Sequence, residues 1–352
     1  MTRTAALIVG LLSSVSAAVE AHGRVHGWLG PGFDSNVTRD IITPGIGTIS
    51  PDGFLYGLVE AEGRLVLLER LRLRGAYDAG GRIFLLNPSE NTVVQSAQLE
   101  ATLAILPWLD FSLLGRARDR RGADRDYTDL SGGAEVALFP ADPVEVRVSV
   151  AAHRFIYWPR FDYSWFGPDG LVSAKYRIDR HHSLSVFGLY NPRTYSGKAK
   201  GPPPPPPDKG TQPEPSFGRA DSVLGAGAAW AYRGGFQLSA GYSYFDTTSN
   251  SWGETIRRHR LTATGAVRLP WELTAFASGT LQLASYPQGF STSEFVVMND
   301  EDFASSVSAK LARPVGAHVD LDIRYAFYFS TMPTANFVYQ RHVVTIGVSV
   351  NF

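Results

Sequence analysis

Val319-Asp320-Leu321-Asp322-Ile323-Arg324-Tyr325-Ala326-Phe327-Tyr328-Phe329 decides the fold. Val319, Leu321, Ile323, Tyr325, Phe327 and Phe329 share one face; Asp320, Asp322, Arg324 and Tyr328, with His318 before them, share the other. The end of the chain repeats the pattern, with Val344, Ile346, Val348, Val350 and Phe352 against Thr345, Gly347, Ser349 and Asn351. Alternation with a period of two over this length is a strand whose faces meet different solvents. Sandwich strands in water alternate too, but they typically run about five or six residues. Strands of this length suit a tilted crossing of a bilayer, which needs about 9–11 residues plus overhang.

Working outward, the same alternation predicts strands at 24–34, 54–67, 70–83, 93–106, 108–118, 128–139, 143–157, 170–180, 182–191, 221–233, 235–246, 256–269, 271–285, 303–313, 317–330 and 340–352. Short turns at Leu68–Arg70, Pro107, Pro140–Pro143, His181, Gly234, Pro270 and Pro314–Gly316 alternate with generally longer connections. Placing the first turn on Leu68–Arg70 leaves Leu65, Leu67, Leu71, Leu73, Gly75 and Tyr77 on the apolar face and Glu69 in water, where its charge costs least. An even strand count with alternating short and long connections predicts an all-β fold: a single transmembrane antiparallel up-and-down β-barrel of about sixteen strands. Both termini then lie on the side of the short turns.

Composition agrees. The 352 residues carry 33 basic and 33 acidic side chains, and this balance excludes the basic excess of a nucleic-acid binder. There is no cysteine, so disulfides, thiol chemistry and an acylated lipoprotein cysteine are excluded. Mean hydropathy is near zero, too polar for a bundle of membrane helices but natural for alternating strands. Arg3, the apolar run Ala5–Leu12 and the small residues Ser13–Ala18 have the layout of a secretory signal. We read residues 1–21 as a signal peptide, cleaved after Ala18 or Ala21, and residues 22–352 as the barrel. A Pro-rich external loop is expected at 192–220, where Pro202–Pro207 favours a stiff polyproline segment. No cofactor or metal motif is read.

The final residues, Thr345-Ile346-Gly347-Val348-Ser349-Val350-Asn351-Phe352, resemble the C-terminal signal of Gram-negative outer-membrane barrels. Thr345, Gly347, Val350 and Phe352 hold its polar, glycine, apolar and terminal aromatic positions. The resemblance implies insertion by the barrel-assembly machinery and residence in outer-membrane lipid. Phe33-Asp34-Ser35-Asn36-Val37 is similar to an aromatic-Asp-Ser-Asn element near the first strand of barrels from exopolysaccharide-export operons and of surface-lipoprotein modifiers.

A sixteen-stranded barrel is too wide for its side chains to fill, so its inward charges line water. Expected on that wall are Arg70, Arg72, Arg74, Arg116, Arg147, Lys175, Arg177, Arg260, Glu100, Asp110, Lys310, Asp320, Asp322 and Arg324, together with Arg258, Arg268, Glu60, Glu62, Asp78, Glu135, Glu145, Asp179 and Glu272. Folding about Val315 sets Lys310 opposite Asp320, and folding about Pro270 sets Arg268 opposite Glu272. The run Arg70-x-Arg72-x-Arg74 reads either as an anion-attracting ladder or as neutralisation of Glu60 and Glu62. The aromatic run Phe155–Phe166 reads mainly as an interfacial girdle, with sugar stacking as the other reading.

An enzyme is not expected. His318-x-Asp320-x-Asp322 could serve acid–base chemistry, yet it follows a periplasmic turn, whereas outer-membrane proteases work at the outer mouth. His182-Ser183 lacks the spacing of a phospholipase signature. The leading reading is a porin-like channel for passive passage of small polar solutes. The alternative is the barrel component of an envelope machine, in exopolysaccharide export or a motility or surface complex, acting through periplasmic or surface partners.

Overall fold

The computed structural model describes residues 20–38, 50–67, 70–122, 125–202, 217–288, 305–331 and 338–352. Its strands are β1 (Glu20–Asp34), β2 (Asp52–Leu67), β3 (Leu71–Phe84), β4 (Thr92–Leu106), β5 (Leu109–Arg121), β6 (Tyr127–Ala141), β7 (Val144–Tyr157), β8 (Trp165–Arg177), β9 (His182–Lys198), β10 (Gly218–Arg233), β11 (Phe236–Ser249), β12 (Ile256–Arg268), β13 (Thr274–Ser285), β14 (Ser305–Pro314), β15 (Val319–Thr331) and β16 (Val338–Asn351). Each pairs antiparallel with its sequence neighbours, and β1 pairs with β16, closing one barrel of sixteen strands. Closure leaves no unpaired edge, which hydrocarbon could not solvate. The seam ends in a reciprocal pair, Val25 N–H to Phe352 O and Phe352 N–H to Val25 O, both 2.9 Å.

The pleat sorts side chains by solvent. Leu99, Val150, Leu224 and Ile346 are 70%, 61%, 60% and 58% exposed on the outer wall, while Trp28, Asp322 and Arg341 on the inner wall are 3%, 3% and 1% exposed. Large apolar residues facing outward have only lipid as a favourable solvent. Trp108, Tyr176, Trp271 and Phe352 mark the rim at the short turns; Trp158, Phe166, Tyr244 and Phe327 lie toward the opposite rim. Two aromatic belts are the interfacial girdles of a membrane barrel.

Several local expectations are corrected. The turns at Val315–His318 and Leu269–Leu273 are longer than read, closed by Val315 N–H to Val319 O (2.9 Å) and Leu269 N–H to Leu273 O (2.8 Å). The register therefore sets Lys310 opposite Arg324 and Arg268 opposite Thr274. Glu272 sits in the turn, where it and Trp271 both have φ of 61°. Asp179 is likewise a turn residue. It accepts the N–H groups of His181 and His182, both at 2.7 Å, and these bonds hold its carboxyl below the usual carboxylate range.

β8 starts at Trp165 and β9 runs to Lys198, so the following connection narrows to 199–217. Pro168 and Pro192 explain the misreading, since neither can donate to a ladder. The β8–β9 register skips from Phe166↔Thr194 to Gly170↔Tyr190, and Asn191 Nδ2 bridges the gap by donating to Pro168 O at 3.1 Å. Gly167 packs against the Pro192 carbonyl, where a Cβ would stand 1.8 Å from that oxygen. The signal-peptide reading falls on 1–19, and Leu68, Glu69 and the proline run beyond Pro202 also lie outside the described residues; Glu20 and Ala21 open β1.

Candidate functional site: the lumen wall and its mouth

The inward charges gather into networks. Asp322 on β15 is the hub of one. Its Oδ1 accepts Trp28 Nε1–H (2.9 Å) and Arg324 Nε–H (3.0 Å), and its Oδ2 meets Arg324 Nη2 (3.1 Å) and Lys310 Nζ (3.2 Å). Arg324 also lies 4.7 Å over the Trp28 ring, a cation–π contact. Gly347 makes this cluster fit: a Cβ there would come within 2.3 Å of Trp28 Cζ2. Asp320 accepts Asn351 Nδ2–H at 3.1 Å, and His318 Nδ1 contacts Asn351 O at 2.8 Å. His318 and Asp320 are thus both tied to Asn351, whereas Asp322 belongs to the cluster with Trp28, Lys310 and Arg324.

Glu62 bridges Arg24 (2.5 Å) and Arg74 (2.8 Å), Arg72 pairs with Asp110, and Arg147 spans Glu135 (2.6 Å) and Glu145 (2.5 Å). Glu100 accepts Thr102 Oγ1–H at 2.9 Å. Arg70 is an exposed turn residue at the start of β3, so the Arg70-x-Arg72-x-Arg74 run does not stand as three equivalent free cations. Arg116, Arg260, Lys175 and Arg177 lie on the inward parity, and among the described residues none has an ion-pair or hydrogen-bond partner for its side chain. Glu60 and Asp78 are the corresponding carboxylates.

The mouth at the end of the longer connections was less visible in the sequence. Asp34 and Arg341, fully buried at the β1–β16 seam, form a two-oxygen pair, with Arg341 Nε at 3.0 and 2.9 Å from the carboxylate oxygens. Asp34 also accepts Asn36 N–H (3.0 Å), Ser35 Oγ accepts His342 N–H (2.8 Å), and Asn36 Nδ2 donates to Gln340 O (3.1 Å). Val37 then packs with Phe54, Phe84 and Val343. The Phe33–Val37 element therefore stitches the connection after β1 to the last strand. Inward parity alone would have exposed Arg341; its partner required the seam register.

The aromatic run divides by parity. Trp158, Phe161 and Phe166 are 51%, 54% and 56% exposed, whereas Tyr157, Tyr163 and Trp165 are 3–8% exposed inside the mouth. Arginines cap the buried rings: Arg160 lies 4.5 Å over Tyr163 and Arg193 4.4 Å over Trp165. Faces covered in this way are closed to a sugar ring. Beside them His153 bridges Asp129 (2.5 Å) and Asp169 (2.7 Å). Arg219 holds Asp221 (2.7 Å) and Glu254 (3.2 Å) across β10 and the loop before β12. Among the described residues no cluster has the make-up of a metal site.

No protein-family model matches the chain, and no curated protein matches it. Among solved structures it is similar to OmpT, an outer membrane protein of Vibrio cholerae folded in vitro and described in a trimer form, at 10% identity over 96% of this chain and 100% of that one, with a TM-score of 0.49. It is also similar to a triple mutant of the Rhodopseudomonas blastica porin, at 10% identity over 95% of this chain and 100% of that one, with a TM-score of 0.39. The closed antiparallel ring, its apolar outer wall, its two girdles and its charged interior give this chain the architecture of a membrane-spanning β-barrel of sixteen strands.

Proposed function

We propose that the barrel is a porin-like channel through which small polar solutes, anions in preference, cross the outer membrane by passive diffusion. The observation that carries this reading is the imbalance on the inner wall. Glu62, Asp110, Glu135, Glu145 and Asp322 are already occupied by arginine or lysine, and among the described residues four inward cations stay without a partner, Arg116, Arg260, Lys175 and Arg177, against two such carboxylates, Glu60 and Asp78. Rings of free arginine attract anions and repel cations in confined water. His153 and its two carboxylates act on this reading as scaffold at the mouth, both ring nitrogens being engaged. Insertion by the assembly machinery through the C-terminal signal belongs to the same proposal.

Planar bilayers containing the purified barrel test it. Discrete conductance steps are expected, with a reversal potential under a salt gradient on the anion-selective side. Replacing Arg116 and Arg260 together by Glu changes the wall by four charge units and should move the reversal potential toward cations. The shift should shrink as salt rises, since such charges act over roughly 8–10 Å at physiological ionic strength. A silent wild-type barrel would overturn the channel and direct attention to the envelope-machine alternative.

A further inference from the structure

We infer that the outer face of β5–β8 around Arg154 is a docking site for a lipid with a phosphate headgroup in the external leaflet. Arg154 breaks the parity of an otherwise apolar face. It shares the outward side of β7 with Val146, Val148, Val150 and Ala152, and the register places it beside Leu130 on β6 and Phe166 on β8. It is exposed, and among the described residues its guanidinium has no ion-pair or hydrogen-bond partner. Other outward cations near this rim are neutralised within the chain: Arg121 by Asp119 at 2.7 Å and Arg257 by Asp246 at 3.8 Å. Arg154 alone of these three takes its counter-charge from outside the protein.

Its depth identifies the source. The external end of β7 is Tyr157, three residues on, and just beyond it Trp158 donates to Thr128 Oγ1 at 3.0 Å with Arg121 5.2 Å above its ring. An indole held between apolar wall and polar rim marks the headgroup level. The Arg154 side chain is long enough to carry its charge up to that level while its stem stays against the apolar wall.

The surface beside it is shaped for the rest of the lipid. A groove of about 400 Å³ runs from Arg154 past Ala152, Gly132 and Gly115, with Leu99, Leu130 and Phe166 as walls. The glycines are not required by the barrel itself. A Cβ on Gly115 would meet nothing within 4 Å, and one on Gly132 only Leu114 O at 3.8 Å, an ordinary contact. Bare positions that the barrel could fill, ending at an unneutralised guanidinium, match an acyl chain leading to a phosphate, which guanidinium binds in bidentate fashion.

Native mass spectrometry on the purified barrel tests the site, with diphosphorylated lipid A as the probe against excess phosphatidylcholine. The wild type should retain lipid A, and Arg154→Gln should lower retention at least tenfold, as should enzymatic removal of the lipid's phosphates. Gly132→Leu fills the groove with Arg154 in place and should weaken retention severalfold. Inorganic phosphate at millimolar concentration should leave retention unchanged, which distinguishes a lipid from a free anion. Heat-modifiable migration on gels reports folding for each variant. Equal retention by wild type and Arg154→Gln, no retention by the wild type, or displacement by inorganic phosphate alone would each overturn the assignment.

Discussion

Cutting one partner from the Asp34–Arg341 pair should loosen the barrel at its seam, and cutting both should largely restore it. Both side chains are at or below 1% exposure, so each charge is compensated by the other and not by water. Asp34→Ala leaves a buried guanidinium and removes an acceptor of Asn36 N–H; Arg341→Leu leaves a buried carboxylate that still accepts from Asn36. Removing one member of a buried pair typically costs about 3–5 kcal/mol, whereas replacing both with apolar groups is often close to neutral. We expect each single variant to lose about 3–5 kcal/mol and the double variant to lie within about 1–2 kcal/mol of wild type, a coupling of several kcal/mol. Asp34→Asn should fall between them, because its amide oxygen keeps the bond to Asn36 N–H.

The assay is urea unfolding of barrel refolded into vesicles, followed by tryptophan fluorescence, with Trp28 lying on the same seam strand. The destabilisation should be accompanied by faster amide exchange in β1 and β16 than in β6–β10, because the pair joins the two chain ends. Additive losses in the double variant, or single losses below about 1 kcal/mol, would refute the argument that the pair is a desolvated unit.

Three further outcomes follow from the same geometry. Gly347→Leu should destabilise the barrel by about 1–3 kcal/mol through displacement of the Trp28 indole, read as a lower urea midpoint, whereas the outward Val348→Leu should change it little. Deleting Phe352 removes both the 2.9 Å backbone pair with Val25 and the terminal aromatic, and replacing it with Asp removes the aromatic alone; either should leave protein in the periplasm or degraded, and heat-modifiable barrel in the outer-membrane fraction would contradict this. A tag placed within Pro202–Pro207 should be reached by antibody on intact cells and one at Gly234 should not; the reverse labelling would invert the barrel in the membrane.

Alternation made the strand count and closure legible because each strand carries its own evidence of two solvents. It failed where the chain departs from the ladder. Pro168 and Pro192 read as loop, yet they lie within β8 and β9, where neither can donate to the ladder and the Asn191 amide bridges the gap. Charge ladders were legible as inward sets but not as pairs. A strand's parity follows from its own residues, whereas a partner depends on turn length, and two turns of unexpected length moved Lys310 from Asp320 to Asp322 and left Glu272 outside the wall. The Asp34–Arg341 pair spans 307 residues and could be seen only after closure brought the first strand beside the last. Arg154 needed no register at all: its parity is plain in 146–156, and it is an outward cation in an apolar file.

The last strand joins two requirements that are usually treated apart. Thr345, Gly347, Val350 and Phe352 were singled out as an address for assembly, and the closed barrel gives the same positions mechanical roles. Gly347 makes room for Trp28, which donates to Asp322 and lies under Arg324; Phe352 pairs with Val25 through its backbone and stacks 5.7 Å from His318. Val350 faces lipid opposite Gly27 and Val319, where its apolar side chain suits both an incoming strand and the finished wall. A barrel has no edge only once its first and last strands meet, so the residues that end the chain also determine when the structure becomes compatible with hydrocarbon. The outward side of β16 can then be recognised before closure, while its inward side is satisfied only after it. Inward substitutions such as Gly347→Leu should accordingly act on the stability of the closed ring, and loss of Phe352 on whether the ring is reached.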